Sequence, residues 1–236
     1  MSGTLFLIPT PIDDVGNLEK SAFDILIKAS TIDLEKSIFA IEDLKPGRKR
    51  WLRWNLPREV IPSFILYNEH SAAVASEQLL IELKAGKNVY LMSDGGMPSF
   101  CDPGRELVKR CHQCHITVTS SPFYNSVILA LALSGFDHRS FVFEGFLPRD
   151  RDERNNCLKS LYQQPKTIVL MDTPYRMLRL LDELKSLERS FKTRELFLAT
   201  NLTTKEEKLF MGTAKQILAQ LKEKDKREFV IIVESL

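Results

Sequence analysis

Several features that would identify a protein quickly are scarce or missing in this chain of 236 residues. Its four cysteines are too few and too scattered for the disulfide framework of a small secreted protein. No apolar run approaches the roughly 20 residues that a membrane span needs. The first residues, MSGTLFLIP, have no basic flank and are too short for a signal peptide. We therefore expect a cytoplasmic protein that does not enter a membrane.

The most recognisable catalytic and phosphate-binding motifs are also missing. Without a GxGxxG or a Walker A sequence, the usual dinucleotide and nucleoside-triphosphate sites are not expected. There is no GxSxG motif of a serine hydrolase and no HExxH motif of a zinc protease. The formal net charge of +2 indicates nothing for or against a nucleic-acid partner.

A metal site has one weak candidate, the run from Cys111 to His115 with the sequence CHQCH. Cysteine and histidine at this spacing are able to bind zinc, but a structural zinc ion needs four ligands. No second pair of such residues follows in the sequence. We therefore predict no metal site and expect the end of an amphipathic helix here.

What the chain does contain is an alternation of short apolar runs and helical patterns. With 44% hydrophobic and 27% charged residues it has the composition of a globular protein. The alternation predicts an α/β architecture with largely parallel strands. The length suits two domains of roughly 110 residues each, and the weakest joint lies near 120–126. We predict an N-terminal α/β domain over 1–120, a C-terminal α/β domain over 121–236, and a ligand cleft between them.

The stretch VYLMSDGGMPSFCDPG (89–104) is the strongest candidate for a binding site. An apolar strand ends there in a glycine-rich turn, and α/β proteins bind ligands at the carboxyl ends of their strands. Asp94 is able to hydrogen-bond a ribose or an amine, while Gly95 and Gly96 allow a ligand to approach the backbone. A turn-stabilising role for Asp94 is equally compatible with the pattern. Three further strand exits, 9–13, 120–123 and 172–174, are candidates for the same cleft.

At three strand exits a polar residue precedes proline. Asp102–Pro103, Ser121–Pro122 and Thr173–Pro174 each have the pattern of a helix N-cap followed by proline at the first helical position. We therefore predict that a helix begins at each proline or directly after it.

The segment LKPGRKRWLRWNLPRE (44–59) interrupts the alternation and is interpreted as a loop. It interleaves basic residues with the only two tryptophans, which suits a phosphate backbone and stacked bases. The alternative is a solvated loop whose tryptophans anchor it to the core or to another subunit. The sequence slightly favours the alternative.

Several stretches together resemble the tetrapyrrole methylase family of S-adenosylmethionine-dependent methyltransferases. Within that family, the chain is most similar to bacterial small-subunit ribosomal RNA cytidine 2′-O-methyltransferases. The matching stretches are LFLIPTPIDDVGNLE (5–19), AIED (40–43), YNEHS (67–71), LKAGKNVYLMSDGGMPSFCDPGRELV (83–108), LALSGFDHRSFVFEGFLPR (131–149), DTPYRMLRLLDEL (172–184) and FVIIVE (229–234). The block SDGGMPSFCDPG with FEGFLP is the most specific part.

The resemblance implies a homodimer that uses S-adenosyl-L-methionine and methylates ribosomal RNA of the small subunit at a ribose 2′-oxygen. Carried over by position, the donor-binding residues are Pro11, Ile12, Asp94, Gly96, Met97, Pro98, Pro122, Phe123, Met171, Ala199 and Glu228. Arg149 and Arg176 are candidate substrate contacts, because guanidinium groups suit bidentate recognition of phosphate. Acidic or titratable residues at strand exits are candidate general bases, namely Glu42, Asp43, His70 and Glu144.

Substitutions within the family motifs leave two alternatives for the function. The usual Ser-Asp-Ala-Gly-Thr-Pro is SDGGMP here, and Glu-Ser-Pro-His-Arg is DTPYR (172–176). The chain is therefore also compatible with a methylase of a small molecule such as a tetrapyrrole, or with a donor-binding protein that has no catalytic activity.

Overall fold

A computed structural model describes residues 2–12, 16–123, 125–222 and 226–236. Its chain divides into two compact units, Met1–Phe123 and Tyr124–Leu236, which are described separately. Asp13, which belongs to one of the predicted strand exits, lies outside the described residues. No helix in the described part of the chain is long and apolar enough to cross a membrane.

The first unit is built on a sheet of five parallel strands, as the alternation of patterns predicts. In sheet order the strands are β3, β2, β4, β1 and β5, and every neighbouring pair is parallel. Parallel strands bring all their carboxyl ends to one edge. The ranges of the five strands are β1 Thr4–Ile8, β2 Ser37–Ile41, β3 Ile65–Leu66, β4 Asn88–Met92 and β5 Thr117–Ser120.

Helices cover both faces of this sheet, because its strands have apolar residues on both sides. Leu5 and Leu7 of β1 pack with the helices α3 and α4, whereas Ile8 packs with the helices α1 and α2. Each face therefore has its own hydrophobic core. The helices are α1 Lys20–Thr31, α2 Leu44–Arg53, α3 Ala72–Lys84 and α4 Arg105–Gln113.

The second unit also has five strands, but here the prediction of largely parallel strands is wrong. The sheet order is β6, β7, β10, β8, β9, and only β6 and β7 pair in parallel. A short connection joins β8 to β9 as an antiparallel pair, and β10 runs back between β7 and β8. The ranges are β6 Phe141–Phe146, β7 Thr167–Met171, β8 Leu196–Thr200, β9 Lys208–Gly212 and β10 Phe229–Val233.

The helices of the second unit also lie against both faces of their sheet. Leu158, Leu180 and Ile217 come from three helices and belong to one hydrophobic core. Val127 and Leu131 of α5 belong to the other core, with residues of the central strands. The helices are α5 Ser126–Ser134, α6 Arg151–Tyr162, α7 Met177–Leu187 and α8 Ala214–Leu218.

None of the three predicted cap-and-proline pairs caps an α-helix. Helix α4 begins after Gly104, and α5 is capped by Asn125, whose side chain accepts hydrogen bonds from Val127 N and Ile128 N. Pro174 begins a short 3-10 turn, after which α7 starts at Met177. The predicted helix starts are therefore two or three residues too early, and the polar residues before the prolines belong to the strand exits.

The predicted loop at 44–59 is wrong over its first ten residues, which form α2. Trp51 is 1% exposed and donates its indole N–H to Pro57 O at 2.7 Å. Trp54 is 7% exposed and donates to Gly16 O at 3.2 Å. Both tryptophans are core residues of the first unit, so they are not available to stack on bases. The anchoring alternative is therefore correct for these side chains.

Candidate functional site

The candidate site lies at the carboxyl edge of the first sheet. Because β4 lies between β2 and β1, its exit loop (93–98) has the end of β2 on one side and the end of β1 on the other. Glu42 and Asp43 follow β2, and Pro11 and Ile12 follow β1. The fold thus gathers three of the strand exits that the sequence singled out.

Backbone hydrogen bonds join the 93–98 loop to the exit of β1. Gly96 and Thr10 each donate an N–H to the other's carbonyl at 2.9 Å, and Thr10 Oγ1 donates to Ser93 O at 2.9 Å. Gly96 has φ +102°, a conformation that residues with side chains rarely adopt. At Gly95 an added Cβ would lie 3.3 Å from both Cα and O of Ile12. Gly96 therefore permits the backbone conformation of this turn, and a side chain at Gly95 would crowd the exit of β1.

Acidic groups surround the same loop. Asp94 donates its backbone N–H to Glu42 Oε2 at 2.9 Å. Burial and the nearby charges of Glu42 and Asp43 raise the pKa of the Asp94 carboxyl from 3.8 to about 6. Burial, and to a smaller extent Glu42 and Asp94, raise the pKa of Asp102 to about 6 as well. We call Glu42, Asp43, Asp94 and Asp102 the acidic cluster.

Asp102 is a member of this cluster that the sequence did not reveal. Three residues of its loop, Ser99, Cys101 and Gly104, have positive φ angles. The chain consequently turns back, and Asp102 hydrogen-bonds Ser93 instead of capping α4. This backbone conformation has no reliable signature in the sequence, because two of the three residues are not glycine.

Arg50 is the basic residue of α2 that faces this site. Its side chain is almost fully buried, and Nη1 donates to Pro11 O at 2.6 Å. The guanidinium also acts to lower the pKa of Asp94, against the stronger effects that raise it. Arg50 thus holds the exit of β1 in place and partly balances the acidic cluster.

The exit of β5 contributes a buried hydroxyl group without a partner. Ser121 is 5% exposed, and its Oγ has no hydrogen bond within the described part of the chain. The preceding Ser120 contacts Met97 Sδ at 3.9 Å, which connects this exit to the 93–98 loop. Buried polar groups are nearly always paired, so Ser121 Oγ fits a site that receives a polar ligand atom. The neighbouring candidates Pro122 and Phe123 are exposed and half-buried, respectively.

Among the candidate bases, His70 lies apart from the site. It is exposed in a turn after β3, and β2 separates that strand from β4. Asp43 is exposed and caps α2 by accepting the backbone N–H of Lys45 at 3.0 Å. In the second unit Glu144 is exposed on the edge strand β6, where Cys157 Sγ donates to it at 3.4 Å. Of the candidates in the first unit, Glu42 has the most direct contact with the 93–98 loop.

Within the second unit, three predicted donor contacts lie near one edge of the sheet. Met171 ends β7, and Ala199 of β8 pairs with Val230 of β10. Met171 and Ala199 belong to the same hydrophobic cluster, and Glu228 directly precedes β10. Ala199 has no exposed surface, so a ligand would reach it only after its neighbours move. Met171 is half-buried and Glu228 is exposed.

A buried ion pair supports the loop that follows β7. The Asp172 carboxylate is fully buried, and Oδ2 lies 2.7 Å from Arg154 Nη1. Asp172 Oδ1 accepts the N–H of Thr173 at 2.8 Å and lies 3.5 Å from Arg176 Nη1. Arg154 also contacts Glu183 at 2.7 Å. Arg176 is therefore held by its own loop, whereas the other candidate substrate contact, Arg149, is exposed next to the start of α6.

The cysteine and histidine run is part of helix α4 and its end. Cys111 is buried in the core, where burial raises the pKa of its thiol to about 11. Among the residues that the structure describes, no three Cys, His, Asp or Glu side chains are arranged to hold a metal ion.

The chain has clear relatives among known proteins. Residues 4–218 match the family model described as Tetrapyrrole (Corrin/Porphyrin) Methylases. The protein named ribosomal RNA small subunit methyltransferase I is 34% identical in Synechocystis sp., 33% in Bacillus subtilis and 30% in Escherichia coli O157:H7. Each alignment covers 98% of this chain, and between 75% and 78% of the relative.

Solved structures share the fold at much lower sequence identity. The structure of diphthine synthase superposes with a TM-score of 0.65 at 10% identity, and covers 99% of this chain and 90% of that one. Uroporphyrin-III C-methyltransferase from Thermus thermophilus gives a TM-score of 0.58 at 18% identity, with coverage of 98% and 94%. These likenesses confirm the predicted α/β fold class.

Proposed function

Because the chain belongs to the tetrapyrrole methylase family, in which S-adenosylmethionine is the methyl donor, we propose that it methylates a ribose 2′-hydroxyl in the RNA of the small ribosomal subunit. The match to the family model confirms the resemblance to this family, and with it the methyltransferase class and the methyl donor. The main support for an RNA substrate is the similarity, over 98% of this chain, to proteins named as ribosomal RNA methyltransferases. The alternative of a tetrapyrrole substrate has no comparable support.

The residues at the carboxyl edge of the first sheet fit the donor. When bound, the donor supplies an electrophilic methyl group on a positively charged sulfonium. The acidic cluster complements a positive charge, and the loop at Gly95 and Gly96 exposes backbone groups without side chains in the way. The unpaired Ser121 Oγ provides a further polar contact. We propose that Pro11, Ile12, Asp94, Gly96, Met97, Pro98, Pro122 and Phe123 form this part of the donor site.

Transfer to a hydroxyl group releases its proton, and a base within hydrogen-bond reach of that hydroxyl assists the reaction. Most of the catalysis is expected to come from positioning, because the reaction is an in-line displacement. We assign proton acceptance to Glu42. Its Oε2 is fixed by the N–H of Asp94 at 2.9 Å, and the side chain is half-buried at the sheet edge beside the 93–98 loop. With the donor bound, Glu42 would hold the proton that the ribose hydroxyl gives up when its oxygen takes the methyl group.

The outer face of α2 suits an RNA backbone. This helix begins directly after Glu42 and Asp43, so it starts at the same sheet edge as the donor loop. Its buried face carries Arg50 and the tryptophans, and its other basic side chains are solvent-exposed, namely Lys45, Arg48, Lys49 and Arg53. Lysine and arginine bind phosphates by displacing counterions, without reading the sequence. We propose that this basic face of α2 binds the RNA backbone. Arg149 and Arg176 of the second unit remain separate candidates for substrate contacts.

A homodimer is part of the proposal, and α5 offers a surface for it. This helix has no charged residue among its nine. Its inner side packs in the core, whereas Ile128 is 56% and Leu133 is 42% exposed. A helix that is apolar on both sides is usually covered on both. Sedimentation of the wild-type chain and of the Ile128→Lys variant measures whether α5 lies in the dimer interface.

The function is tested by methylation of small ribosomal subunits isolated from cells that lack the gene. We expect the purified protein with labelled S-adenosylmethionine to modify the RNA at one ribose, detected as a bond resistant to alkaline hydrolysis. Donor binding without turnover on these subunits would instead favour a catalytically inactive donor-binding protein. Turnover on a porphyrinoid but not on RNA would favour the tetrapyrrole alternative. Absence of donor binding in calorimetry would contradict all three.

A further inference from the structure

The loop 172–176 combines a rigid base with an exposed tip. At its base the Asp172 carboxylate is fully buried, paired with Arg154 at 2.7 Å and bonded to Thr173 N at 2.8 Å. A 3-10 turn over Pro174–Arg176 follows, closed by the N–H of Arg176 donating to Thr173 O at 2.8 Å. The backbone that presents the next side chains is therefore fixed from both ends.

Tyr175 lies at the tip of this loop with 76% of its surface exposed. A single exposed apolar residue is ordinary on a protein surface. The surroundings of Tyr175 are less ordinary, because Lys226 Nζ lies 4.6 Å from its ring centroid and Arg176 is its neighbour in the chain. The ring thus projects from a hydrogen-bonded turn, with the Lys226 ammonium over the ring and the Arg176 guanidinium belonging to the same turn.

An exposed aromatic ring with lysine and arginine nearby suits the binding of single-stranded nucleic acid. Bases stack on exposed aromatic rings, while nearby lysine and arginine side chains bind the flanking phosphates. We propose that Tyr175 stacks on an unpaired base of the acceptor RNA, with Arg176 and Lys226 binding the adjacent phosphates. The proposal rests on the proposed function, since it requires an RNA substrate. It also assigns base stacking to a residue of the second unit, because Trp51 and Trp54 are buried.

The test measures binding of labelled single-stranded RNA fragments of the small subunit, by fluorescence anisotropy. We expect Tyr175→Ala to weaken binding by about tenfold or more, given the usual contribution of base–aromatic stacking. Tyr175→Phe keeps the ring and should bind within about twofold of the wild type. The affinity for S-adenosylmethionine should be unchanged in both variants.

Abasic nucleotides identify the stacking partner. Replacing the stacked base by an abasic site should weaken wild-type binding but leave Tyr175→Ala unaffected, since the contact is already lost. As a matched control, Phe141→Ala removes an exposed ring at the opposite end of the parallel β6–β7 pair. This control should bind RNA like the wild type.

Two results would overturn the inference, and only the second would also overturn the proposed function. If the wild type binds and methylates small-subunit RNA while Tyr175→Ala binds it equally well, the stacking role is wrong and the proposed function stands. If the wild type neither binds nor methylates this RNA, the proposed function and the stacking role are both wrong. A change in oligomeric state for Tyr175→Ala, with unchanged RNA affinity, would assign the ring to a protein interface instead.

Discussion

Replacement of Asp102 by asparagine tests whether the acidic cluster is held at a cost to stability. Burial and the nearby carboxylates raise the pKa of Asp102 from 3.8 to about 6. In the unfolded chain an aspartate titrates near 3.9. Below that pH both states are protonated and the group does not affect stability. As the pH rises from about 4 to about 6, the unfolded chain loses this proton before the folded protein does, so stability is lost over that range and stays lower above it.

The size of the effect follows from the same values. An increase in pKa from 3.8 to about 6 corresponds to about 3 kcal/mol at pH 8. Asp102 keeps some contact with solvent, so screening reduces this to about 1 kcal/mol. Asparagine has nearly the same shape and still accepts the hydrogen bond of Ser93. We therefore expect Asp102→Asn to raise the melting temperature by about 2–4 °C at pH 8.

The assay is thermal unfolding of both proteins between pH 4 and pH 8. At pH 5 the carboxyl of the unfolded chain is already ionised while that of the folded protein is largely protonated, so about half of the stabilisation by Asp102→Asn should remain. Near pH 4, where the unfolded chain is substantially protonated as well, the stabilisation should nearly vanish. Glu69→Gln serves as the control, because it neutralises an exposed carboxylate in the turn after β3 and should change little at any of these pH values. A gain of equal size at pH 4 and pH 8, or a loss at pH 8, would refute the reasoning.

Further variants address the donor site, the RNA surface and the buried ion pair. Gly96→Val should abolish donor binding in calorimetry, because a β-branched residue does not adopt φ +102°, and circular dichroism should show an intact fold. Charge reversal of both Lys45 and Arg48 should weaken RNA binding and lower the slope of log affinity against log salt by about 2, whereas an enzyme for small molecules would be unaffected. Arg154→Met should destabilise the protein by about 3–5 kcal/mol in urea unfolding, since it leaves the Asp172 carboxylate buried without its partner. Replacing Asp172 by leucine in that variant should restore most of the loss.

The elements that could be predicted from the sequence are those whose pattern is local. Strands β1, β2, β7 and β10 each coincide with a short apolar run bounded by polar or turn residues, which is the local pattern from which the alternation is predicted. Helix α2 was missed because Pro46 and Gly47 disfavour a helix in its first turn. Proline is tolerated at that position, and a Cβ on Gly47 would lie 2.6 Å from Ile41 Cδ1. A side chain at this position would therefore displace the end of Ile41, so Gly47 lets the helix lie close to β2, a contact that only the tertiary structure reveals.

The residues of the candidate site also fall into those with a local sequence pattern and those that only the fold brings together. Asp94, Gly95 and Gly96 could be found from the sequence, because a strand that ends in a glycine-rich turn is a local pattern. Asp102 and Ser121 could not, since their roles depend on where the 99–104 loop and the exit of β5 are placed in the fold. The role of Arg50 was also hidden, because its charge resembles that of its exposed neighbours on α2 until burial separates them.

The end of β2 brings opposite charges next to each other, and this arrangement suits the proposed reaction. Glu42 belongs to the acidic cluster, while Lys45 and Arg48 begin the basic face of α2 only a few residues later. The donor is a cation at its sulfonium and RNA is a polyanion, so each substrate would be attracted to a different side of this strand end. Because the pKa values of Asp94 and Asp102 are both about 6, binding of the donor should depend on pH. Binding of RNA should depend on salt, because it releases counterions. A single strand end therefore keeps the two substrates apart by charge and places the proposed base, Glu42, between them.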